Sequence, residues 1–120
     1  MATIKAQLKL TSSTVGSDKL SVLLSHSIAV DPGGAWTGIG RATVDLVTPT
    51  TLGSGTARRL VYFKNLDTTN FIKIQTAGPI VTQQIEPGEF VLFFANAGVT
   101  TEALADTAPC IAEVAFWDLP

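Results

Sequence analysis

Residues 59–74 read RLVYFKNLDTTNFIKI and residues 75–95 read QTAGPIVTQQIEPGEFVLFFA. Short runs of β-branched, aromatic and aliphatic residues alternate here with Asn/Asp/Thr and Pro-Gly punctuation. Strands joined by tight turns produce that cadence. Arg59–Lys64 and Phe71–Gln75 are expected to form a hairpin around the polar turn Asn65–Asn70, whose Asn and Asp side chains can bond their own backbone. Glu86-Pro87-Gly88-Glu89 places Pro second and Gly third, which specifies a type II turn. That turn is expected to set the register of Ile80–Ile85 against Phe90–Ala95. The unbroken apolar run Phe90–Ala95 reads as a central strand covered on both faces.

The same reading extends in both directions. Ile4, Ala6, Leu8 and Leu10 alternate with Lys5, Gln7 and Lys9, a half-buried strand with its lysines in water. Thr11–Asp18 is a Ser/Thr/Gly loop. Leu20, Val22, Leu24, Ile28 and Val30 then share one face of a long strand, with His26 among them. Asp31-Pro32-Gly33-Gly34 ends it. Trp36–Thr48 reads as a strand bent at Gly38 and Gly40, and Thr48–Ala57 as an exposed loop. Val99–Ala105 and Cys110–Trp117 complete the series. About eight strands with no helix make an all-β chain, an antiparallel sandwich with a jelly-roll-like path. The rival is an immunoglobulin-like sandwich without its disulfide.

The chain has 120 residues, so one β-sandwich domain over residues 1–120 is expected. Charged residues are only 15% of it, against roughly 25% in an average soluble domain. Two readings fit that deficit: part of the surface faces other subunits, or a Thr-rich surface is simply neutral. The net charge is -2, and the only basic cluster is Arg58-Arg59, so no nucleic-acid partner is expected. MATIKAQLKL lacks the continuous apolar stretch of a signal peptide, and no run has the length of a membrane-spanning helix. Synthesis and assembly in a cytoplasm, with no membrane partner, is the corresponding expectation.

Chemistry finds little support in the residues. His26, the only histidine, could serve as a base among its flanking serines, but a nucleophile–base–acid set needs more than one member. On an apolar strand face it reads as a core or interface histidine. Cys110 reads as a small core hydrophobe. Structural zinc takes four Cys/His-type ligands, and His26 and Cys110 are the whole supply. Asp67–Asn70 is dense in oxygen but holds one carboxylate, too few for calcium; a self-bonded turn is expected. Glu86 and Glu89 flank one turn and are expected to shape it. The GIG of residues 38–40 lacks the spacing of a phosphate loop. Trp36 and Trp117 are the candidate stacking surfaces for a sugar or a subunit; core packing is the expectation for both. No catalytic residue, cofactor or metal is assigned, and no enzymatic activity is expected.

Three segments taken together, MATIKAQLKLTSS, VYFKNLDTTNFIKI and IEPGEFVLFFANAGVTTEALADTAPCIAEVAFWD, resemble small β-sandwich structural proteins of tailed bacteriophages. The likeness lies in a Y-x-KN strand with its polar turn, a PGE-F turn-strand and a closing strand. It covers about half of the chain, chiefly Arg59–Trp117. It implies a virion component: a decoration or cement protein on the outer capsid surface, acting as a homo-oligomer, a trimer in many such proteins, with the major capsid protein or other virion proteins as partners. A tail or fibre component is the alternative within the same particle. A carbohydrate-binding module using Trp36 is the alternative from another class.

Overall fold

A computed structural model describes residues 2–13 and 20–120. Ten strands run β1 Ala2–Ser12, β2 Leu20–Val30, β3 Trp36–Val44, β4 Thr50–Ser54, β5 Arg59–Asn65, β6 Ile72–Thr76, β7 Ile80–Ile85, β8 Phe90–Ala95, β9 Thr100–Ala105 and β10 Cys110–Asp118. Every pairing is antiparallel. The described residues contain no helix. Two four-stranded sheets, ordered β3-β10-β5-β8 and β4-β9-β6-β7, enclose the core. β1 and β2 form a separate two-stranded ribbon, called the arm below.

Eight of the ten strands therefore make the sandwich. From β3 to β10 the chain changes sheet at every connection except β6–β7. The first and last of these strands, β3 and β10, lie side by side. This is a jelly-roll-like order, in which an antiparallel ribbon wraps into two layers.

The core follows from strict alternation. Val61 and Phe63 of β5 point inward beside Ala112 of β10, and meet Ile72, Ile74 and Ile85 from the opposite sheet. Val44, Leu52 and Cys110, all essentially inaccessible, join it with Ala95, Ala103 and Ala105. Cys110 is thus a core residue, as expected, and burial pushes its thiol pKa up.

Four expectations need correction. Thr48–Ala57 is not an exposed loop: Thr50–Ser54 forms β4, with Leu52 fully buried. One leucine among small polar residues shows no period, so the strand was invisible until β9 paired with it. Arg59–Lys64 and Phe71–Gln75 do not form a hairpin, because β5 and β6 belong to different sheets. β7 and β8 are likewise in different sheets, so the Pro87-Gly88 turn sets no register between them. Finally, β8 is an edge strand rather than a central one, with Phe90 66% and Leu92 50% exposed. Its apolar run serves the core through Val91, Phe93 and Ala95 and presents a second apolar face outward.

Smaller differences are local. β1 extends through Thr11 and Ser12, Ser13 forms a bend, and residues 14–18 of the Thr11–Asp18 loop lie outside the described residues. β3 stops at Val44, where the Asp45 carboxylate accepts the amides of Leu46 and Val47. The bend expected at Gly38 and Gly40 is present as a register shift against β10 between Val114 and Phe116.

Asn65 explains why the chain crosses between sheets where a hairpin was expected. Its side chain is fully buried. Nδ2 donates to the carbonyls of Asn70 (2.9 Å) and Ile85 (3.0 Å), and Oδ1 accepts the Asp67 amide (2.9 Å). Its backbone exchanges bonds with the type II turn: the Asn65 amide donates to the Glu89 carbonyl, and the Gly88 amide donates to the Asn65 carbonyl. One residue thus pins both sheet-to-sheet corners. Gly88 has φ of 81° and the Glu89 amide donates to the Glu86 carbonyl, as a type II turn requires.

Arg59 and Asp118 form the other buried tie. The guanidinium Nε donates to Asp118 Oδ1 at 2.7 Å, and a second nitrogen donates to the Leu52 carbonyl of β4 at 3.1 Å. Asp118 Oδ2 accepts the Ala35 amide at 3.0 Å. Gly34 lies against this group: a Cβ there would come within 2.8 Å of the Asp118 Cβ, so only glycine fits. Burial pushes the Asp118 pKa up, but the hydrogen bonds from Arg59 and Ala35 outweigh it and hold the carboxyl below its ordinary value.

Two predictions follow from these ties. A Cβ at Gly88 meets no neighbour, so only its backbone conformation resists substitution. Gly88→Val should cost about 1–3 kcal/mol, whereas Asn, which tolerates left-handed geometry, should melt near the parent; equal melting temperatures for all three would refute the turn. Removing one partner of the buried pair by Asp118→Ala should cost about 3–5 kcal/mol, and the Arg59→Met/Asp118→Ala double variant should lose less than the two singles combined. Because the folded carboxyl titrates below its ordinary value, the pair stabilises fully above that value. Its contribution is lost as pH falls through the lowered one. Urea titrations of parent and Asp118→Ala between neutral and acidic pH should therefore converge at the acidic end.

Candidate interaction surface on the arm and outer sheet

The outer face of the β3-β10-β5-β8 sheet is unusually apolar, and the arm lies across part of it. On β5, Leu60 and Tyr62 alternate outward with the inward Val61 and Phe63. Leu60 stands opposite Trp117 of β10 and Phe94 of β8. The arm roots on this patch: Ile28 and Val30 of β2 bury against Leu60 and Leu119, with Ile4, Ala6 and Trp117 around them. The pairing Ile4↔Ile28, Ala6↔His26, Leu8↔Leu24 and Leu10↔Val22 puts these side chains on one face of the ribbon, as the alternation predicted.

Beyond that root, several of the arm's apolar side chains are only partly covered by their own chain. Leu8 is 42%, Leu10 46% and Leu24 59% exposed on the sheet-facing side, and Leu23 is 66% exposed on the other. The radius of gyration, 15.6 Å, exceeds the about 13.6 Å expected of a compact domain this long. A projecting arm accounts for the difference.

Two concavities flank the arm. One, of about 610 Å³, runs between the arm and β8 and is lined by Ala6, Leu8, Leu24 and His26 on one wall and Phe90 and Leu92 on the other. The second, of about 370 Å³, lies at the arm's base between Ile4, Asp31, Trp36 and Trp117. Trp36 is 64% exposed there and does not pack in the core as expected, because it opens β3 at the sheet edge, opposite Trp117. Trp117 is half-buried on the arm's root, in keeping with its expected packing role.

The residues considered for chemistry are dispersed. His26 is exposed in the first groove and is not a core residue; the period placed it on the apolar face correctly, but that face is uncovered at its position. Cys110 sits between the sheets, its Sγ directed at the Ala108 carbonyl (3.3 Å). The Asp67 carboxylate accepts the amides of Thr69 and Asn70, the self-bonded turn expected, and those bonds, Asn70 foremost, lower its pKa. Glu89 accepts the Glu86 amide and so shapes its turn. No group of three or more His, Cys, Asp or Glu capable of holding a metal occurs among the described residues.

Several contributors to this surface escaped sequence reasoning. Arg58 stacks its guanidinium over the Phe94 ring at 4.6 Å, and Tyr62 donates to Glu113 at 2.8 Å. Alternation within FVLFFA, with Phe90, Leu92 and Phe94 two apart, was the available signal for an outward apolar row.

Since His26 is exposed and Cys110 is buried, their substitutions should separate cleanly. His26→Leu should change stability by less than about 0.5 kcal/mol. Cys110→Ala should lower it by roughly 1 kcal/mol through lost packing. Chemical denaturation measures both, and an enzymatic or metal-dependent activity lost in either variant with the fold intact would assign that residue a chemical role. Comparison of the chain with protein-family models, with curated proteins and with solved structures finds no match.

Proposed function

We propose that this chain is a structural subunit of a tailed-bacteriophage virion, a decoration or cement protein that binds the outer capsid surface and stabilises the shell. The observation that carries this reading is the clustering of exposed large apolar side chains on the arm and on β8, in a chain with only 15% charged residues. Contiguous exposed apolar surface marks protein interaction sites. It agrees with the subunit-facing reading of the charge deficit and with the phage resemblance of Arg59–Trp117.

The mechanism would be burial and edge pairing. Strands β3 and β8 end one sheet and β4 and β7 the other, each with one unpaired edge in the sandwich. Such edges accept further strands. A subunit bridging capsomers would bury on the order of 1,000 Å² or more at each specific contact. The subunit acts as a homo-oligomer, a trimer, without cofactor, nucleic acid or membrane, and its place is the virion assembled in the host cytoplasm.

The second reading is a carbohydrate-binding module. It is favoured by one feature, the exposed Trp36 beside Trp117 and Asp31 in the smaller concavity, an aromatic platform with a polar neighbour.

Cryo-electron microscopy of intact particles decides between places in the virion. Density for this fold at capsomer junctions is the expected result, and stripping the protein should lower the temperature at which the shell opens. Density in the tail would transfer the assignment there, and absence from the particle would overturn it. Quenching of Trp fluorescence by a glycan, abolished by Trp36→Ala, would instead support the sugar-binding reading.

A further inference from the structure

The arm and the groove beside it have complementary forms. The arm is a two-stranded ribbon carrying exposed leucines on both faces: Leu8, Leu10 and Leu24 on one, Leu23 on the other. An isolated two-stranded ribbon is marginal in water, and the cluster that buries side chains of this one lies at its root. Apolar side chains on both faces suit a ribbon gripped from two sides. The groove has two walls, the resident arm and β8, and no Lys, Arg, Asp or Glu lines it. One edge of β8 is also unpaired, because β8 bonds only to β5 in its sheet.

Charge makes the same division. Among described residues the arm carries Lys5 and Lys9 and no acid. Residues 31–120 carry five basic and nine acidic side chains, a net of -4. An arm leaving its own body therefore meets an oppositely charged one in another copy. Glu86 and Glu89 stand in the turn that leads into Phe90 at the groove wall.

The exposed area sets the scale of such a contact. Phe90, Leu92, Phe94, Leu8, Leu10 and Leu24 are each about half exposed. At roughly 150–250 Å² for an aromatic side chain and somewhat less for leucine, arm and groove together leave on the order of 500 Å² of apolar surface uncovered. The two sides of a standard contact bury about 900 Å² of apolar surface, so this one is of small size and is repeated once per subunit around a ring.

We propose that the arm of one copy seats in the arm–β8 groove of the next, and that this head-to-tail contact closes into the homo-oligomer. A heterologous contact of this kind makes a ring when its rotation closes. The inference rests on the self-associating subunit proposed above and names the surfaces that hold it together. It predicts assembly in the absence of any shell.

Native mass spectrometry and light scattering at tens of micromolar test it. The parent should run as three chains of 12.6 kDa. An arm variant, Leu10→Asp/Leu23→Asp, changes exposed residues that do not line the groove; a groove variant, Phe90→Asp/Leu92→Asp, changes exposed residues on β8. Circular dichroism should show both folded, and each alone should be monomeric. Mixed, they should form a one-to-one species, because one supplies an intact arm and the other an intact groove. A monomeric parent, variants that assemble like the parent, or a mixture that stays monomeric would each overturn the arm–groove contact. None of those results would touch shell binding, which is read separately on particles.

Discussion

The buried ion pair of Arg59 with Asp118 decides how the parts of this molecule are joined. Its guanidinium lies between the sheets, bonded to the end of β10 and to a carbonyl of β4, and rests on the Phe116 ring at 4.0 Å. The carboxylate reaches the amide of Ala35, where the chain comes down from the arm and enters β3. Backbone bonds reinforce the junction: the Asp31 amide donates to the Asp118 carbonyl and the Asp118 amide to the Ala35 carbonyl. A buried charge without its partner is far costlier than the pair is stabilising. The pair therefore acts chiefly as a specificity device, fixing where the arm leaves the sandwich and which face it crosses.

At the other end of β5, Asn65 does comparable work with neutral groups. Every hydrogen of its amide is used, and its backbone is bonded to the type II turn. The Y-x-KN and PGE-F segments that carry the phage resemblance are thus two halves of one structural unit. Their residues answer to corner geometry: a buried Asn that closes two crossings, and a glycine in the left-handed region. The proposed interaction surface lies elsewhere, on the outer face of the β3-β10-β5-β8 sheet.

That outer face gives the low charge of the chain a location. Exposed apolar side chains gather on the arm and β8, while the arm's two described charges are lysines and the body is acidic. A ribbon rooted on Leu60 and Trp117 but uncovered beyond them is a costly arrangement for a solitary molecule. It becomes favourable when another copy or a shell covers it, since burial of apolar surface is the main driving term in association. Assembly is the reading that uses the arm, the groove and the unpaired edges together.

Alternation and turn chemistry were legible in the residues alone. The period of two in Ile4–Leu10 and Val22–Val30 placed the correct faces together, and Pro87-Gly88 specified its turn, because both are local properties of backbone and side chain. The all-β class and the core place of Cys110 came from the same local signals. Pairing was not legible. β5 with β6, and β7 with β8, are adjacent in sequence and lie in opposite sheets, because buried groups such as Asn65 bind partners far along the chain. β4 emerged only when β9 covered Leu52. β8 read as central because a strand with one face in the core and one apolar face outward has the same composition as a strand buried on both. His26 shares that ambiguity: its face was determined by the sequence, but whether anything covers the face was decided by how the arm stands on the sandwich.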